Sequence, residues 1–326
     1  MKANSITVSL EEEVSGFSLI EPEELMDWQA QRKVAKKLVV LEAHFSSVDH
    51  PLDPEMPVFR HMPGAIQIHP SYLEAGLNRE KYYPNYEHPT EANVLPHAEL
   101  TEVLEKLGIG PDSRVVVYGS DPDGVMAAAR LVWGLMYAGV ECVRLLDGGI
   151  EAWVEHGGRP DLKIKSVWEA AGVGRGDVPW KVRSGLLATG AEMKDFVRAG
   201  GDRDRRVVDV RTEGEWSGAT IKKYPFFSRG GHLPKAIHQG DWNNLTDGTS
   251  RSLGPHLEAV ERRWRELGIV DEGVENGTTT LIFYCGTGWR SSIAFLVAHL
   301  LGFRAKNFDD GFYGWSFHPE NEVEVL

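Results

Sequence analysis

The chain has 326 residues, which exceeds the usual size of one hydrophobic core and favours two domains of about 150 residues each. Hydrophobic residues make up 42% and charged residues 25%, values typical of a folded globular protein rather than of a largely disordered chain. A net charge of -13 disfavours a nucleic-acid or anionic-membrane surface, because such surfaces need clustered Lys and Arg. Any anionic substrate must therefore meet a local positive site.

The amino terminus and the cysteine content narrow the class of protein further. Residues 1–16 lack a basic start followed by an apolar core, and no apolar run approaches ~20 residues, so we expect a cytoplasmic protein with no membrane partner. Two cysteines, Cys142 and Cys285, are too few for a disulfide framework, which leaves a thiol free for chemistry. The twelve histidines show no spacing typical of zinc ligands, and we expect neither a metal nor an organic cofactor.

Three landmarks recur in the same order in both halves of the chain, which indicates a degenerate tandem repeat. They are a His-x-Pro-x-Ala segment, an apolar strand that enters a loop and then a helix, and an Asp- and Gly-containing turn that ends in Trp. The matching landmarks of the two halves begin at His61 and His232, at Val115 and Leu281, and at Asp147 and Asp309. Their offset shrinks along the chain, which indicates loop insertions rather than rearrangement.

Short apolar runs bounded by turn residues alternate with helical periods, a pattern typical of parallel strands with helices on both faces. In the second half, strands are predicted at Arg206–Val210, Thr279–Tyr284 and Ala305–Phe308, and helices near Ala191–Ala199, Pro255–Leu267 and Arg290–Leu301. Residues 161–183 lack a sustained period and contain the linker. The predicted fold is α/β, with two mainly parallel sheet domains at residues 1–165 and 184–326, joined by a linker at 166–183.

Cys285 opens the most informative segment, Cys-Gly-Thr-Gly-Trp-Arg-Ser, between a predicted strand and a predicted helix. Backbone N–H groups in such a loop and at a helix start have no intrahelical partner, and together with the helix dipole they attract an anion. That field lowers the pKa of a thiol from its free value of about 8.5 and favours the nucleophilic thiolate. Gly286 and Gly288 let the backbone curl around the sulfur, while the Arg290 side chain turns either inward or toward solvent.

Cys285 has a purely structural alternative, since cysteine often acts as a small buried hydrophobic residue at a strand end. A core cysteine does not need two glycines, a hydroxyl and an arginine directly after it, so the functional interpretation is preferred. Cys142 lies in a strand pattern with no such loop, and we interpret it as structural.

The combined landmarks resemble the rhodanese superfamily. They are the Cys-Gly-Thr-Gly loop before a helix, the Asp209–Arg211 segment after a strand, the two His-x-Pro-x-Ala segments and the two Gly-x-x-x-Trp turns. They run from about Leu38 to Trp315 and cover most of the chain. The resemblance implies a tandem sulfurtransferase whose C-terminal copy alone carries the persulfide-forming cysteine, at a site facing the cleft between the domains. Gly119 stands at the matching position of the first copy, which is therefore expected to be catalytically inactive.

The expected site is centred on Cys285 and Arg290 as catalytic residues. Substrate contacts are expected from Arg211, Gly286, Thr287, Gly288, Trp289 and Ser291. For Arg211, a structural ion pair with Asp209 or Glu215 is an equal alternative. Trp289 either borders the substrate pocket or packs between the domains, and packing is the preferred interpretation.

We expect a sulfurtransferase that moves a sulfane sulfur from an anionic donor, 3-mercaptopyruvate or thiosulfate, to a thiol or cyanide acceptor. The Cys-Gly-x-Gly start resembles mercaptopyruvate enzymes. However, His69 and Asn93 stand where those enzymes tend to have Asp and His, and Glu215–Gly218 stands where they commonly carry a second arginine. Thiosulfate enzymes of this layout more often carry cationic residues inside the loop, so the donor stays open.

Two other functions compete with sulfur transfer. A cysteine phosphatase or arsenate reductase also uses a thiolate in an anion-cradling loop, but such loops place five residues between Cys and Arg, whereas four intervene between Cys285 and Arg290. A protein that binds or senses a persulfide without turnover is the non-enzymatic alternative. Turnover with a soluble thiol acceptor distinguishes it from an enzyme, and the oligomeric state stays open.

Overall fold

A computed structural model describes residues 16–44, 60–75, 93–120, 124–162, 165–166, 180–221, 229–248 and 252–326. The centre of the predicted linker, residues 171–176, lies outside the described residues, as do residues 121–123 in the loop after Gly119. Within this part of the chain, the backbone forms two separate parallel sheets.

The first sheet forms the core of the N-terminal domain. Its strands are β1 (Gly16–Ile20), β2 (Leu38–Ala43), β3 (Ile66–Ile68), β4 (Arg114–Gly119), β5 (Cys142–Leu146) and β6 (Lys165–Ser166). They lie side by side in the order β1-β5-β4-β2-β3-β6, and each pair is parallel. The central strand β4 is a continuous apolar run that is buried over residues 115–118, as expected for a parallel strand covered on both faces.

The second sheet repeats this arrangement. Its strands are β7 (Leu187–Ala188), β8 (Arg205–Asp209), β9 (Ile237–His238), β10 (Thr280–Tyr284) and β11 (Ala305–Phe308). Their order, β7-β11-β10-β8-β9, is that of the first five strands of the other sheet, and all pairs are parallel. The predicted α/β fold with two mainly parallel sheets is therefore confirmed. The domain limits drawn from the sequence remain predictions.

Helices cover both sheets. They are α1 (Pro22–Ala30), α2 (Arg32–Ala35), α3 (His97–Lys106), α4 (Gly124–Tyr137), α5 (Gly149–Glu155), α6 (Gly190–Arg198), α7 (Glu213–Ser217), α8 (Leu257–Glu266), α9 (Glu272–Glu275), α10 (Trp289–Leu300) and α11 (Gly311–Phe317). Short 3-10 turns lie at Pro70–Leu73, Ser184–Leu186, Trp242–Leu245 and Gly254–His256. The three helices predicted in the second half correspond to α6, α8 and α10, with ends that shift by one or two residues.

The helices α4 and α10 explain how the two domains are held together. Each comes after the central strand of its own sheet, and the two pack directly against each other. Both are buried around nearly their whole circumference, because each is covered by its own sheet on one side and by the other helix on the opposite side. As a result, one apolar core runs through both domains, and its members include Val115, Trp133, Phe283 and Phe295.

Two smaller apolar clusters cover the outer faces of the sheets. In the first domain, Leu25 of α1 and Trp153 of α5 pack against strands β2 and β4. In the second, Phe196 of α6 and Trp315 of α11 pack against strands β8 and β10. Each fully buried side chain of this size contributes roughly 1.5–3 kcal/mol to the free energy of unfolding. The outer helices therefore hold the sheets in place, and the edge at the carboxyl ends of the strands remains available for a functional site.

Candidate active site

Cys285 lies directly after β10, at the carboxyl end of the central strand of the second sheet. The chain turns through Gly286, Thr287 and Gly288 and enters α10 at Trp289. In open parallel sheets this edge is where ligands bind, because the loops and the helix N-termini converge there. The structure thus places the predicted loop where an anion is best held.

Gly288 is required by the geometry of this turn. Its φ of 81° lies in the left-handed region, and a Cβ built on it would approach the Asp309 carbonyl oxygen to 2.7 Å and an Arg130 nitrogen to 3.1 Å. A larger residue would strain the backbone and collide with two neighbours. The loop is consequently shaped by contacts from the residue directly after β11 and from the first domain as well as by its own sequence.

The Cys285 side chain is 1% exposed and lies among hydrogen-bond donors. Burial raises the pKa of the thiol, because it disfavours the charged form. The positive charge of Arg290, the Ser291 hydroxyl and the N–H groups of the loop oppose burial and prevail, so that the pKa is lowered from its ordinary value. The N–H donors are those of Thr287 and Ser291. The site therefore favours a thiolate.

Arg290 turns inward, which settles the alternative that the sequence left open. Arg290 as a whole is 8% exposed, and its guanidinium donates to the Glu215 carboxylate through both terminal nitrogens, at 2.7 and 2.9 Å. One of these nitrogens lies 3.4 Å from the point where a Cβ on Gly286 would sit. The positive charge thus rests against the cysteine loop, with a carboxylate on its other side.

Arg211 takes part in the structural ion pair that was one of its two predicted roles. Its Nε donates to both Asp209 carboxylate oxygens at 3.0 and 2.9 Å, and a terminal nitrogen donates to the Gly231 carbonyl at 2.7 Å. The side chain is 1% exposed, with its guanidinium carbon 4.1 Å from the centre of the Phe312 ring. Asp209 is therefore its partner, whereas Glu215 pairs with Arg290. A contact between Arg211 and a substrate stays a prediction.

Ser291 and Asn307 support the loop from within the second domain. The Ser291 hydroxyl lies 3.5 Å from the Cys285 sulfur and 2.7 Å from the Asn307 side-chain oxygen, and its one proton serves one acceptor at a time. The Asn307 amide donates to the Gly288 carbonyl at 3.0 Å. Sequence reasoning missed Asn307, because it lies on β11 and nothing in its local pattern points to the cysteine.

The first domain also reaches the loop. The Trp289 indole donates to the Glu74 carboxylate at 2.9 Å, and its ring lies 5.3 Å from the ring of His69. The Asn93 amide donates to the Asp309 carbonyl at 2.6 Å and lies 3.4 Å from the Thr287 carbonyl. Trp289 is 6% exposed and lies between the domains, and a contact between its ring and a substrate stays a prediction.

Charged and polar groups cross the domain interface in both directions. Arg130 of α4 lies between Glu74 of its own domain and Asp309 of the other, at 2.5 Å from each carboxylate. Asp309 also accepts the Val94 N–H at 2.7 Å.

In the opposite direction, the Asp147 carboxylate of the first domain accepts the N–H groups of Leu253 and Gly254 at 2.7 and 2.9 Å. The sequence identified Asp147 and Asp309 as landmarks of the repeat, but these contacts across the interface were not predicted.

Gly119, the counterpart of Cys285 in the first domain, has no room for a side chain. Gly119 ends β4, and a Cβ built on it would lie closer than 3.0 Å to the carbonyl group of Gly124. Cys142, the other cysteine, begins β5, where it packs beside the outer apolar cluster of the first domain.

Among the described residues, no group of three or more His, Cys, Asp and Glu side chains could hold a metal ion. Over the same part of the chain, none of the helices combines the length and the apolar character needed to cross a membrane.

The fold and the site together define a tandem α/β protein with a single buried thiol in an anion-cradling loop. The rhodanese-like domain model matches residues 28–156 and again residues 191–318. The chain therefore belongs to the rhodanese-like domain family, and the resemblance inferred from the sequence is confirmed.

Relatives of known name cover most of the chain. Thiosulfate sulfurtransferase YnjE of Escherichia coli (strain K12) is 30% identical over 94% of this chain, which spans 64% of the length of that relative. A thiosulfate sulfurtransferase of Pseudomonas aeruginosa is 28% identical over 81% of this chain and 86% of its own length.

Solved structures show the same fold. The anaerobic ergothioneine biosynthesis enzyme from Chlorobium limicola, in complex with trimethyl histidine, matches with a TM-score of 0.73 and 25% identity over 94% of this chain and 70% of its own. The crystal structure of YnjE matches with a TM-score of 0.71 and 26% identity, covering 94% of this chain and 68% of that one. Both likenesses extend over the two sheets.

Proposed function

We propose that the protein is a sulfurtransferase in which Cys285 carries the transferred sulfur as a persulfide. The observation that carries this proposal is the buried thiol whose pKa lies below its ordinary value, surrounded by N–H donors and Arg290. A thiol in that state is a strong nucleophile near neutral pH. The names of the two bacterial relatives, both thiosulfate sulfurtransferases, support the same chemistry.

Two half-reactions make up the proposed cycle. The Cys285 thiolate attacks the transferable sulfur of an anionic donor, and the donor fragment leaves with the electron pair of the broken bond. This fragment is sulfite for thiosulfate, or pyruvate, after protonation at carbon, for 3-mercaptopyruvate. A thiol or cyanide acceptor then attacks the outer sulfur of the persulfide, and the Cys285 thiolate leaves. The relatives' names favour thiosulfate over 3-mercaptopyruvate as the donor.

The loop residues have distinct proposed roles. Arg290 and the N–H groups of Thr287 and Ser291 stabilise the negative charge of the thiolate and of the persulfide. Gly286 and Gly288 give the backbone the curvature that brings those N–H groups to the sulfur. Neither a metal nor an organic cofactor takes part in these steps. We expect the reaction to take place in the cytoplasm.

Trp289 and Arg211 surround this centre. Trp289, held by Glu74, forms a wall of the site from the side of the first domain. Arg211 is engaged by its pair with Asp209, so we give it a smaller part in binding the donor than the sequence alone suggested.

A second candidate acceptor is an imidazole compound. The likeness to the ergothioneine enzyme bound to trimethyl histidine favours including such a compound in the assays. The phosphatase alternative is disfavoured, because the guanidinium of Arg290 is engaged by Glu215 from one side and the loop is one residue shorter. A persulfide-binding protein without turnover remains the non-enzymatic alternative.

Labelling of the thiols tests the proposal. After treatment with thiosulfate or 3-mercaptopyruvate, intact-mass measurement should show one added sulfur in the wild type and in Cys142→Ser, and none in Cys285→Ser. Addition of a thiol, cyanide or trimethyl histidine should remove the label with turnover. A label that appears on Cys142 refutes the site, and a label that no acceptor removes favours the binding protein.

A further inference from the structure

Two residues, Arg290 and Thr212, hold the Glu215 carboxylate in place. It lies on α7, is 5% exposed, and its carboxylate binds Arg290 through two hydrogen bonds of 2.7 and 2.9 Å. Its Oε2 atom, which accepts from one Arg290 nitrogen, also accepts from the Thr212 hydroxyl and the Thr212 N–H at 3.0 and 3.3 Å. The Glu215 N–H donates to the Thr212 hydroxyl in return, which completes a capping box. Thr212 therefore orients the Glu215 carboxylate independently of Arg290.

Arg290 transmits the effect of Glu215 to the cysteine. Its guanidinium lies against Gly286, the residue next to Cys285, in a region from which water is largely excluded. Charges interact more strongly there than in water. The carboxylate of Glu215 both holds this cation in position and offsets part of its charge.

Two further ion pairs and one buried carboxylate, that of Asp310, lie around the loop. Arg130 and Asp309 pair across the domain interface beside Gly288. Arg211 and Asp209 pair at the end of β8. Asp310 precedes α11, whose first N–H groups, those of Phe312 and Tyr313, donate to the carbonyls of Cys285 and Gly286. Among the described residues, Arg290 is the cation that does most to lower the pKa of the Cys285 thiol, so its partner Glu215 is the carboxylate placed to modulate that effect.

We propose that Glu215 is a positioning residue that sets the balance between the two half-reactions through Arg290; this rests on the proposed sulfur transfer. Taking sulfur requires a nucleophilic thiolate, and nucleophilicity falls as the thiol pKa falls. Giving up sulfur requires Cys285 to leave with the electron pair of the broken S–S bond, and leaving becomes easier as its pKa falls. By offsetting part of the Arg290 charge, Glu215 keeps the thiolate reactive enough for the first step without preventing the second.

The central test is Glu215→Gln in the full chain carrying Cys142→Ser, because the substitution keeps the shape and removes the charge. We expect the pH midpoint of Cys285 alkylation by iodoacetamide to fall by about half to one pH unit, since the Arg290 charge is no longer offset. In an Arg290→Ala background, the same substitution should shift the midpoint no further. Glu192→Gln serves as the matched control, because Glu192 forms another partly buried ion pair of this domain, with Lys306 at 2.9 Å.

Single-turnover kinetics give the second readout. Above both midpoints, Glu215→Gln should slow persulfide formation from thiosulfate by roughly twofold to threefold and speed sulfur release to a thiol, as a Brønsted coefficient of about 0.4–0.5 predicts. A merely structural role for Glu215 would slow both steps together. A midpoint that rises, a shift that persists without Arg290, or an equal shift in Glu192→Gln overturns the proposal.

A further variant covers the case in which Glu215→Gln does not fold. Thr212→Val removes the hydroxyl that orients the carboxylate, and it should move the alkylation midpoint in the same direction by a smaller amount. An unchanged midpoint in Thr212→Val contradicts the proposal. Alkylation does not depend on sulfur transfer, so failure of every donor to form a persulfide would refute the proposed function while leaving this test of Glu215 intact.

Discussion

The ends of the central strands β4 and β10 share one framework and differ in the residues directly after the strand. Tyr118 and Tyr284 occupy matching positions, each opposite a carboxylate of the neighbouring strand, Glu42 or Asp209. The Tyr118 hydroxyl oxygen accepts the Met62 N–H at 3.1 Å, and the Tyr284 hydroxyl oxygen accepts its counterpart, the N–H of the residue after His232, at 3.2 Å. This part of the framework does not depend on activity.

The two strand-to-helix junctions, one after β4 and one after β10, differ in the residue that follows the tyrosine. Gly119 lies so close to Gly124 that a side chain has no room, whereas Cys285 has space for its sulfur, a left-handed glycine three residues later and Arg290 against the loop. A strand that enters a helix provides the N–H donors in either domain. The difference teaches that the anion-binding edge comes with the fold, while the chemistry requires the open turn and the charge placed beside it.

The largest expected effect comes from removing Arg211, the cation that balances the buried Asp209 carboxylate at the end of β8. Arg211→Ala leaves Asp209 buried without its partner, and we expect a loss of about 3–5 kcal/mol in the free energy of unfolding. Urea denaturation measures it, with Lys306→Ala as a control for a more exposed pair. An unchanged denaturation midpoint together with a raised KM for the donor would instead place Arg211 in substrate binding.

Restoring a thiol to the first junction should fail. Gly119→Cys forces a Cβ into the carbonyl group of Gly124, and overpacking of this kind costs about 1–3 kcal/mol. Gly119→Ala should cost a similar amount, because the Cβ alone makes the collision. Thermal unfolding checks the loss, and intact-mass measurement after donor treatment should show no second added sulfur. If donor treatment added a second sulfur at position 119 of this variant, the identity of that residue alone would explain why the first junction is inactive.

Removing the charge beside Cys285 should make the active junction more like the inactive one. The pKa of the Cys285 thiol is lowered, so half-maximal alkylation in the wild type should occur at a lower pH than for an ordinary thiol, and the rate should decline as the pH drops through that midpoint. Arg290→Ala should raise the midpoint by about one pH unit, and Arg290→Lys should recover part of the shift. If the pH profiles of alkylation were the same in the wild type and both variants, the backbone N–H donors alone would activate the Cys285 thiol.

The smallest effect concerns the contact that ties the active loop to the other domain. Trp289→Phe keeps an aromatic ring and removes the hydrogen bond to Glu74, for which we expect a loss of about 1 kcal/mol. Trp315→Phe is the matched control, because its indole donates at 2.8 Å to the Glu322 carbonyl within the second domain. Only Trp289→Phe should also change the KM for the donor. Equal effects on KM would assign Trp289 to packing alone.

The parts of the molecule that were predicted from sequence are those determined by neighbouring residues. Strand β11 was predicted with its bounds as observed, and α6, α8 and α10 within two residues, because apolar periodicity and turn residues act locally. The cysteine loop was recognisable for the same reason, since its glycines, hydroxyls and arginine are contiguous. The order of the landmarks then predicted the tandem fold.

The partners of the loop were not predictable in this way. Glu215 lies 75 residues from Arg290, and Glu74 lies 215 residues from Trp289, so no local pattern links either pair. The capping-box sequence around Thr212 marks a helix start but does not indicate that its carboxylate also binds an arginine. Arg130, Asn93 and Asp309 meet only because α4 and α10 pack together, which is a property of the assembled domains.

The exchange of contacts by Asp147 and Asp309 has a consequence for how the molecule became asymmetric. These residues open matching turns, and each carboxylate accepts N–H groups just ahead of a helix in the opposite half, before α8 for Asp147 and before α3 for Asp309. Together with the packing of α4 on α10, this is the reciprocity of an isologous twofold dimer, in which each surface meets itself. Two identical subunits must carry every substitution twice. In one continuous polypeptide, one half is free to keep an occluded glycine and supply Arg130 and Glu74 as scaffolding while the other keeps the thiol.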